Sequence, residues 1–547
     1  MTSPAGPLTG RPPARASRGM VTATDALASG AGLTALRRGG SAADAAIAAN
    51  AVLCVTYPHM AGLGGDAFAL IHDGQNVSAL NASGPAGSEA TRDHYASRGH
   101  SEDIPDRGSL SALTVPGAVD GWREMHERFG RLPWDQLFED AIHLAREGFA
   151  VGKSLSAWLP QDAGLLAEDP QASAVYLPGG RTPRQGDVLR NPDLARTFQT
   201  LAERGPRAGF YEHAIAERLC AGDTPLEAVD FAEYAAEWVE PISGSYRGVE
   251  LYEMPPSTQG FTALQILAML EGYDVAAWGD LSPDYIHHLA EAAKVSFADR
   301  DAWLTDPSHH DIPLEQLLAT DYARRRRELI SQEEALTMGE IDSGIPGGWT
   351  GPSPGPAGDT CHLCAADEDG LVVSLIQSIY HDFGSGVMPE GTGVILQNRG
   401  SFFSLDEEHH NRLDPGKRTF HTLMPGLALR EDGSPYAALG TMGGEGQPQT
   451  QAAMMTRLVD FGYDMQQAIE APRWLMGRTW GAESQDLSLE GRVPDPVAIE
   501  LRRRGQPVKL LTDFADDVGH AQGIRIHPEG YYEGGADPRG DGAALGY

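Results

Sequence analysis

Residues 351–375 read GPSPGPAGDTCHLCAADEDGLVVSL, a Gly/Pro-rich run that passes straight into a Thr-Cys-His triplet and an alternating apolar stretch. Glycine and proline at this density keep a chain irregular. TCHLCAAD, a turn at EDG and LVVSLIQSIY instead have the period-two pattern and β-branched content of paired strands. The loss of periodicity begins near residue 331, so 331–359 read as an exposed, mobile linker that ends on a strand. A linker joined to a buried strand marks a place where the chain can be cut. A cut before Thr360 would give that residue a free α-amine, so that one residue holds both a nucleophile and a base. The hydroxyl is a poor nucleophile with no partner to take its proton, and an α-amine of ordinary pKa, about 7.7–8.0, can accept it near neutral pH. A threonine opening a strand is also an ordinary β-branched residue, and the pattern alone leaves both readings open.

Outward from this junction, GTGVILQNRG, TLMPGLALR and PYAALGTMGG, with a second EDG turn, continue as antiparallel strands; GYDMQQAIEAPRWLM and PDPVAIELRRRG have helical spacing. Upstream, from Val21 to Met60, two Ala-rich stripes split by RRGG form a helical hairpin. GLGGDAFALIHDGQNVSALNASG then supplies a loop and two strands turning at DG. Residues 120 to about 235 are helical, as in VDGWREMHERFG, WDQLFEDAIHLAREGFA and PDLARTFQTLAERG. VELYEMPPSTQG is a strand closed by a Pro/Gly turn, and FTALQILAMLEGY and PDYIHHLAEAAKVSFADRDAWL are long helices. Helices and antiparallel strands interleave without a tandem repeat, a mixed α and β architecture.

A chain of 547 residues accommodates two to four ordinary domains or one large domain built on extensive sheets. An apolar fraction of 41% and a charged fraction of 22% are those of a water-soluble protein, and no stretch approaches the roughly 18 apolar residues of a membrane span. A formal charge of -34 excludes phosphate backbones and anionic lipid as partners, because those are held by clustered Lys and Arg. Cys54, Cys220, Cys361 and Cys364 are too few for a disulfide framework and fit a reducing compartment. Cys361 and Cys364 have C-x-x-C spacing, yet no second pair completes a metal site, and a strand would point them to opposite faces. No metal and no cofactor are expected; no nucleotide-binding loop is present. The N-terminal MTSPAGPLTGRPPARASRGM lacks the apolar core of a signal peptide. Residues 1–18 therefore read as a disordered leader, Met20 as an alternative start, and the cytoplasm as the expected location.

In matching order from about 21 to 547, these stretches resemble the gamma-glutamyltranspeptidase family: GLGGDAFALI, LTVPGAVDGW, AIHLAREGFAV, LYEMPPSTQG, VSFADRDAWLTDP, DTCHLCAADEDGLVVSL, FGSGVMPEGTGVILQNRGSFFS, DPGKRTFHTLMPGLAL, GTMGGEGQPQTQ and GGADPRGDGAALGY. The resemblance implies an α+β fold, a four-layer αββα sandwich of the N-terminal-nucleophile hydrolase type. It implies a precursor that cuts itself between Asp359 and Thr360 into a large subunit, 19–359, and a small subunit, 360–547, both sharing one fold. The family's Thr-Thr-His falls on Thr360, Cys361 and His362, with Thr360 as nucleophile and its α-amine as base. The family's oxyanion-hole glycines fall on Gly443 and Gly444, and the hydroxyl that orients the nucleophile falls on Ser378. By pattern alone the glycine pair is a turn and Ser378 an ordinary strand serine.

The positions that would read a gamma-glutamyl group depart from the family. The acid that pairs the substrate ammonium falls on Phe402, and the arginine that clamps its carboxylate falls on Ser83. Two adjacent serines become His421 and Thr422, an asparagine becomes Tyr380, and a glutamine becomes Arg399. Such a pocket suits an acyl group that bears its own carboxylate and no α-amine, an oxamate-like amide held by Arg399. QNRGSFF, FHTL and GTMGGEGQPQTQ are similar to the branch that includes oxamate amidohydrolase. Arg399 fits a structural salt bridge equally well, and His421 a packing role. The expected function is a self-processing amidohydrolase acting on a small-molecule amide, with transfer to amines secondary. A conventional gamma-glutamyltransferase or glutathione hydrolase, an unprocessed binding protein, and a metal or redox role for the cysteine pair are the rival readings; a higher oligomer stays open.

Overall fold

A computed structural model of the chain describes residues 8–351, 358–477 and 484–547. Two short strands, β1 (Ala14–Ala16) and β2 (Met20–Ala23), precede helices α1 (Ala26–Arg37) and α2 (Ala42–Thr56), the hairpin expected from the two Ala-rich stripes. A capping box starts α2: Ser41 Oγ accepts the Asp44 N–H at 3.1 Å, and Asp44 Oδ2 accepts the Ser41 N–H at 2.9 Å. Strands β3 (Asp66–His72) and β4 (Val77–Ala82) form the DG hairpin, followed by α3 (Ala118–Phe129) within a helical region. Next come β5 (Glu237–Val239), β6 (Ile242–Tyr246), β7 (Val249–Glu253), and helices α4 (Gly260–Leu270) and α5 (Pro283–Trp303). Beyond the linker lie β8 (Asp359–Ala366), β9 (Val372–Tyr380), β10 (Gly426–Arg430), β11 (Pro435–Thr441), α6 (Gly446–Val459), β12 (Ala521–His527), β13 (Tyr531–Ala536) and β14 (Ala543–Gly546).

The strands assemble into two seven-stranded antiparallel sheets, ordered β14-β2-β8-β9-β3-β4-β5 and β1-β13-β12-β11-β10-β7-β6. Period-two alternation sorts their side chains into three apolar layers. Cys361, Leu363 and Ala365 of β8 face the helices of the first sheet, α2 and α3 among them, whereas Cys364 and Ala366 pack between the sheets with Phe68, Ile376, Leu427 and Ala438. The C-x-x-C cysteines thus point to opposite faces, as a strand requires. A third layer joins Leu251, Leu439 and Ala437 to α4, α5 and α6. Helix, sheet, sheet and helix make the αββα sandwich.

Three expectations need correction. The stretch marked as a disordered leader is structured where it is described: Ala14–Ala16 pair with Tyr532–Gly534, and Arg15 meets Glu533 at 3.0 Å. An open sheet edge offers unpaired N–H and C=O groups to any backbone that reaches it, whatever its composition. Residues 1–7 lie outside the described residues. GTGVILQNRG forms no strand; Leu396 makes a single bridge to Gly64, and Arg399–Phe402 wind into a short 3-10 turn. Positive φ at Gly391 (72°) and Gly393 (66°) breaks the alternation that the apolar residues suggested. The linker stretch 331–351 lacks helix and strand, as expected, but it is tethered. The Leu336 N–H donates to Glu291 Oε2 at 2.8 Å, and the Trp349 N–H to the Ala302 carbonyl at 2.9 Å. Residues 352–357 lie outside the described residues.

Candidate active site

Strand β8 lies in the interior of the first sheet, but β2 pairs only with Leu363–Ala366, so the start of β8 is paired with β9 alone. Its pairing with β9 slips: Asp359 stands opposite Tyr380 but Cys361 opposite Gln377, so Ser378 and Ile379 together face Thr360. A bulge of this kind re-aims side chains at the point where pairing ends. Thr360 shares the inter-sheet side of β8 with His362, is fully buried, and its hydroxyl has no hydrogen-bond partner among the described residues. His362 Nε2 is 2.9 Å from Ser374 Oγ, and burial drives its pKa down to about 3, so the imidazole is neutral.

The second sheet brings its own chain turn over this point. Cys364 lies beside Ile524, the ladder partner of Ala438, and the His362 ring abuts Gly440 so closely that a Cβ there would sit 2.5 Å away. Gly443 and Gly444 follow Gly440 by three and four residues, just beyond the end of β11 at Thr441. Gly443 (φ 113°) and Gly444 (φ 51°) adopt backbone that side chains disfavour, and their N–H groups find no acceptor among the described residues. Gln259, in the turn before α4, fixes this loop: its Nε2 donates to the carbonyls of Gly444 and Thr422, both at 2.9 Å. Its Oε1 accepts from Arg300 Nη1 at 3.1 Å, and Arg300 Nη2 reaches Glu445 Oε1 at 2.7 Å.

Beside Thr360, Ser378 Oγ accepts the Tyr380 N–H at 2.8 Å and Arg399 Nη2 at 3.2 Å. Arg399 is fully buried, its guanidinium 4.4 Å from the Tyr380 ring centre and 5.8 Å from that of Phe402. Its Nε and Nη1 have no hydrogen-bond partner and no carboxylate stands within ion-pair distance among the described residues, so the structural salt bridge is not formed. Burial lowers its pKa to about 10. Tyr380 itself holds a positive φ of 78°, a strained position that non-glycine residues adopt rarely.

Asp66 and His421 complete the enclosure. Asp66 Oδ1 accepts the N–H groups of Gly84 (3.1 Å) and Gly117 (3.2 Å) and Gln397 Nε2 (3.0 Å), while Oδ2 faces His421 Nε2 at 3.6 Å. Burial lifts the Asp66 pKa to about 7, against the lowering pull of Gln397 and Arg399. Burial, reinforced by Arg399, pushes His421 well below the ordinary histidine range; its ring meets Phe68 edge-on at 5.0 Å. Phe402 and Phe420 close the aromatic wall, 4.7 Å apart.

Of the residues singled out from sequence, Thr360, Ser378, Tyr380, Arg399 and Phe402 form one contiguous group, with His421 across it. Thr422 contributes its carbonyl to the Gln259 bridge. Ser83 does not present its hydroxyl: Oγ donates to Asn81 Oδ1 at 2.7 Å, and only its backbone adjoins the Asp66 cradle. Sequence reasoning overlooked Asp66, Gln259, Arg300 and Glu445. Each lies inside a stretch that carried the family resemblance, and a charged or amide side chain amid buried apolar residues was the available signal.

Two antiparallel sheets between helical layers, with a threonine strand start enclosed between them, define the fold of the N-terminal-nucleophile hydrolases. The gamma-glutamyltranspeptidase family pattern matches residues 28–547, and the chain belongs to that family. It is 43% identical over 534 residues to the glutathione hydrolase-like YwrD proenzyme of Bacillus subtilis, covering 96% of this chain and 98% of that protein. It is 42% identical over 542 residues to the oxamate amidohydrolase proenzyme of Klebsiella pneumoniae, covering 97% and 99%. Among solved structures, the cephalosporin acylase from Bacillus halodurans superposes with a TM-score of 0.90 at 36% identity, covering 100% of this chain and 99% of that one.

Proposed function

We propose that this chain is a self-processing amidohydrolase that works through Thr360 on an acyl amide bearing a carboxylate and no α-amine, of the oxamate kind. In the precursor the Thr360 hydroxyl attacks the Asp359 carbonyl, the peptide nitrogen leaves as the new α-amine, and water resolves the ester. In the mature form that amine takes the hydroxyl proton as Oγ attacks the substrate amide. The N–H groups of Gly443 and Gly444 receive the developing oxyanion, which two fixed donors stabilise far more than the ground-state carbonyl. The amine leaves with the proton, and water hydrolyses the acyl-threonine to free acid. Ser378, already hydrogen-bonded to Arg399, orients the nucleophile.

One observation supports the substrate reading: Arg399 is buried with two nitrogens unpartnered, and the ring near it at 5.8 Å is the uncharged Phe402. A carboxylate satisfies the guanidinium through charge-assisted hydrogen bonds. A gamma-glutamyl ammonium would lie desolvated beside a cation, at a cost of several kcal/mol. The Asp66 carboxyl does not relieve it, since Oδ1 is engaged by three donors and burial favours the neutral acid.

The test has two arms. Purified protein should run as two fragments, the smaller beginning at Thr360 by N-terminal sequencing, while Thr360→Ala stays whole. Ammonia release from oxamate should exceed glutamate release from glutathione by about a hundredfold in kcat/KM, the equivalent of an unpaired buried charge worth a few kcal/mol. Faster release of glutamate would overturn the substrate reading, and a fully active uncut chain would overturn the mechanism.

A further inference from the structure

Gln259 holds the Gly444 end of the turn after β11, and the Met442 end is held by a different set of residues. The Met442 N–H donates to the His520 carbonyl at 3.2 Å, and a Cβ on Gly519 would sit 2.2 Å from the Met442 carbonyl oxygen, so the loop before β12 lies directly on this turn. Gly519, at φ 80°, has the backbone that admits the approach, and Arg473 Nη1 donates to its carbonyl at 2.7 Å. The His520 side chain anchors the loop. It is fully buried, with Nε2 3.1 Å from Asp516 Oδ1 and Nδ1 3.2 Å from the Tyr57 hydroxyl.

Tyr57 stands at the end of α2, and from it the chain of hydrogen bonds runs on: Ser154 bonds the Tyr57 hydroxyl, and Ser154 Oγ is 3.1 Å from His59 Nε2. The backbone of the same segment grips the end of β9, where Ser378 lies. The Met60 carbonyl accepts the Ile379 N–H at 3.2 Å, and the His59 carbonyl accepts the Phe383 N–H at 2.9 Å. Tyr57, Met442 and Cys361, the residue after Thr360, belong to one apolar cluster. Burial drives the His59 pKa down to about 3 and lifts that of Tyr57 well above the ordinary phenol range, so both are neutral. Burial works to raise the Asp516 pKa, but the hydrogen bond from His520 holds it below the ordinary carboxylate range, and it accepts. One direction of donation then serves the whole chain, from His59 through Ser154, Tyr57 and His520 to Asp516.

We propose that Tyr57 and His520 are positioning residues, whose hydrogen bond sets the turn carrying Met442, Gly443 and Gly444 against the strand end carrying Ser378. The proposal rests on the reading that the Gly443 and Gly444 N–H groups receive the oxyanion, but the hold on Met442 can be measured apart from it. Tyr57, Ser154 and His59 precede Thr360 and His520 and Asp516 follow it, so the link also ties the two proposed fragments together at the site. A buried polar chain among apolar neighbours is stabilising only while each member is satisfied, and a break in it is felt at the backbone that it holds.

Tyr57→Phe removes one hydroxyl and nothing else. Its kcat for oxamate should fall at least about tenfold while KM stays within about twofold, the split expected when a contact made in the transition state is disturbed. Hydrogen exchange of the full-length protein, read by mass spectrometry on the peptide spanning Met442, should be at least about tenfold faster in the variant. His520→Gln keeps a partner for Asp516 but falls short of Tyr57, and the double variant should cost no more than the worse single one, because both break the same link. Tyr285→Phe is the stability control: it removes a buried hydroxyl bonded to Thr456 Oγ1 at 2.6 Å in the helical layer of the second sheet. Wild-type kcat in Tyr57→Phe, unchanged exchange at Met442, or an equal loss of kcat in Tyr285→Phe at matched stability would overturn the proposal. Faster Met442 exchange in a protein that does not turn over oxamate would leave the link standing and sink the substrate reading; oxamate turnover indifferent to Tyr57→Phe would do the reverse.

Discussion

Asp66 is a carboxyl shielded from water, with three N–H donors on one oxygen and a neutral imidazole before the other. Burial raises its folded pKa from 3.8 to about 7. A pKa raised on folding favours the protonated group, so the associated stability is fully present below about pH 4 and drains away as pH rises toward 7. Asp66→Asn keeps an acceptor for the three donors and an N–H toward His421, and it cannot ionise. Denaturant melts of the two proteins should therefore diverge, with the variant gaining on the wild type from pH 4 to about 7 and no further above that. A constant gap across pH 4–8 would mean that Asp66 is ionised throughout. Arg399 belongs to the same scale: Arg399→Met should leave self-cleavage intact and lower kcat/KM for oxamate by roughly a hundredfold, the range of a lost charge-assisted pair of hydrogen bonds. Equal turnover by the variant would remove Arg399 from substrate binding.

At the scale of elements, the site is a meeting of strand ends and the turns beyond them. The slip between β8 and β9 sets Ser378 beside Thr360, and the turn after β11 follows Gly440, which abuts His362. Gln259 is the brace for that turn, bonding two carbonyls that the same fold buries. Gln259→Leu matches its bulk but strands both carbonyls and one Arg300 nitrogen, at about 1–3 kcal/mol per unpaired group. A turn displaced by an ångström misaligns the N–H groups proposed as oxyanion donors, so kcat should fall on the order of a hundredfold with KM changed little. A variant with wild-type kcat would show that Gly444 holds its place without Gln259. The MPPSTQG segment was legible as a turn after a strand, from its prolines and glycine; that its amide would reach Gly444 was not, because 185 residues separate the two along the chain.

At the scale of the molecule, the proposed cut falls within a shared sheet rather than between domains. Leu363–Ala366 of β8 pair with Met20–Ala23, and β10, β13 and β14 pair with β7, β1 and β2 across the same division. Separating the fragments would strip central strands and expose three apolar layers. Cleaved protein should accordingly elute as one species of undivided size by gel filtration, and its fragments should part only in denaturant. Fragments that separate under native conditions would contradict the interleaved sheets.

What the sequence by itself determined is what neighbours within a turn or a hairpin decide: the Ala-rich helical pair, the DG hairpin, the strands on either side of EDG, the opposed cysteines of β8, and Thr360 at a strand start. The likeness to gamma-glutamyltranspeptidases extended this to the layered architecture. Only the tertiary structure decided that β1 caps a sheet edge despite its leader-like composition, that Ser83 turns its hydroxyl away, and that Asp66, His421 and Arg399 converge. The physical reason is that desolvation and long-range proximity are properties of a packed interior. A residue's type shows which charge it can carry, but its surroundings, assembled from distant parts of the chain, set whether that charge is kept, shared or left to meet a ligand.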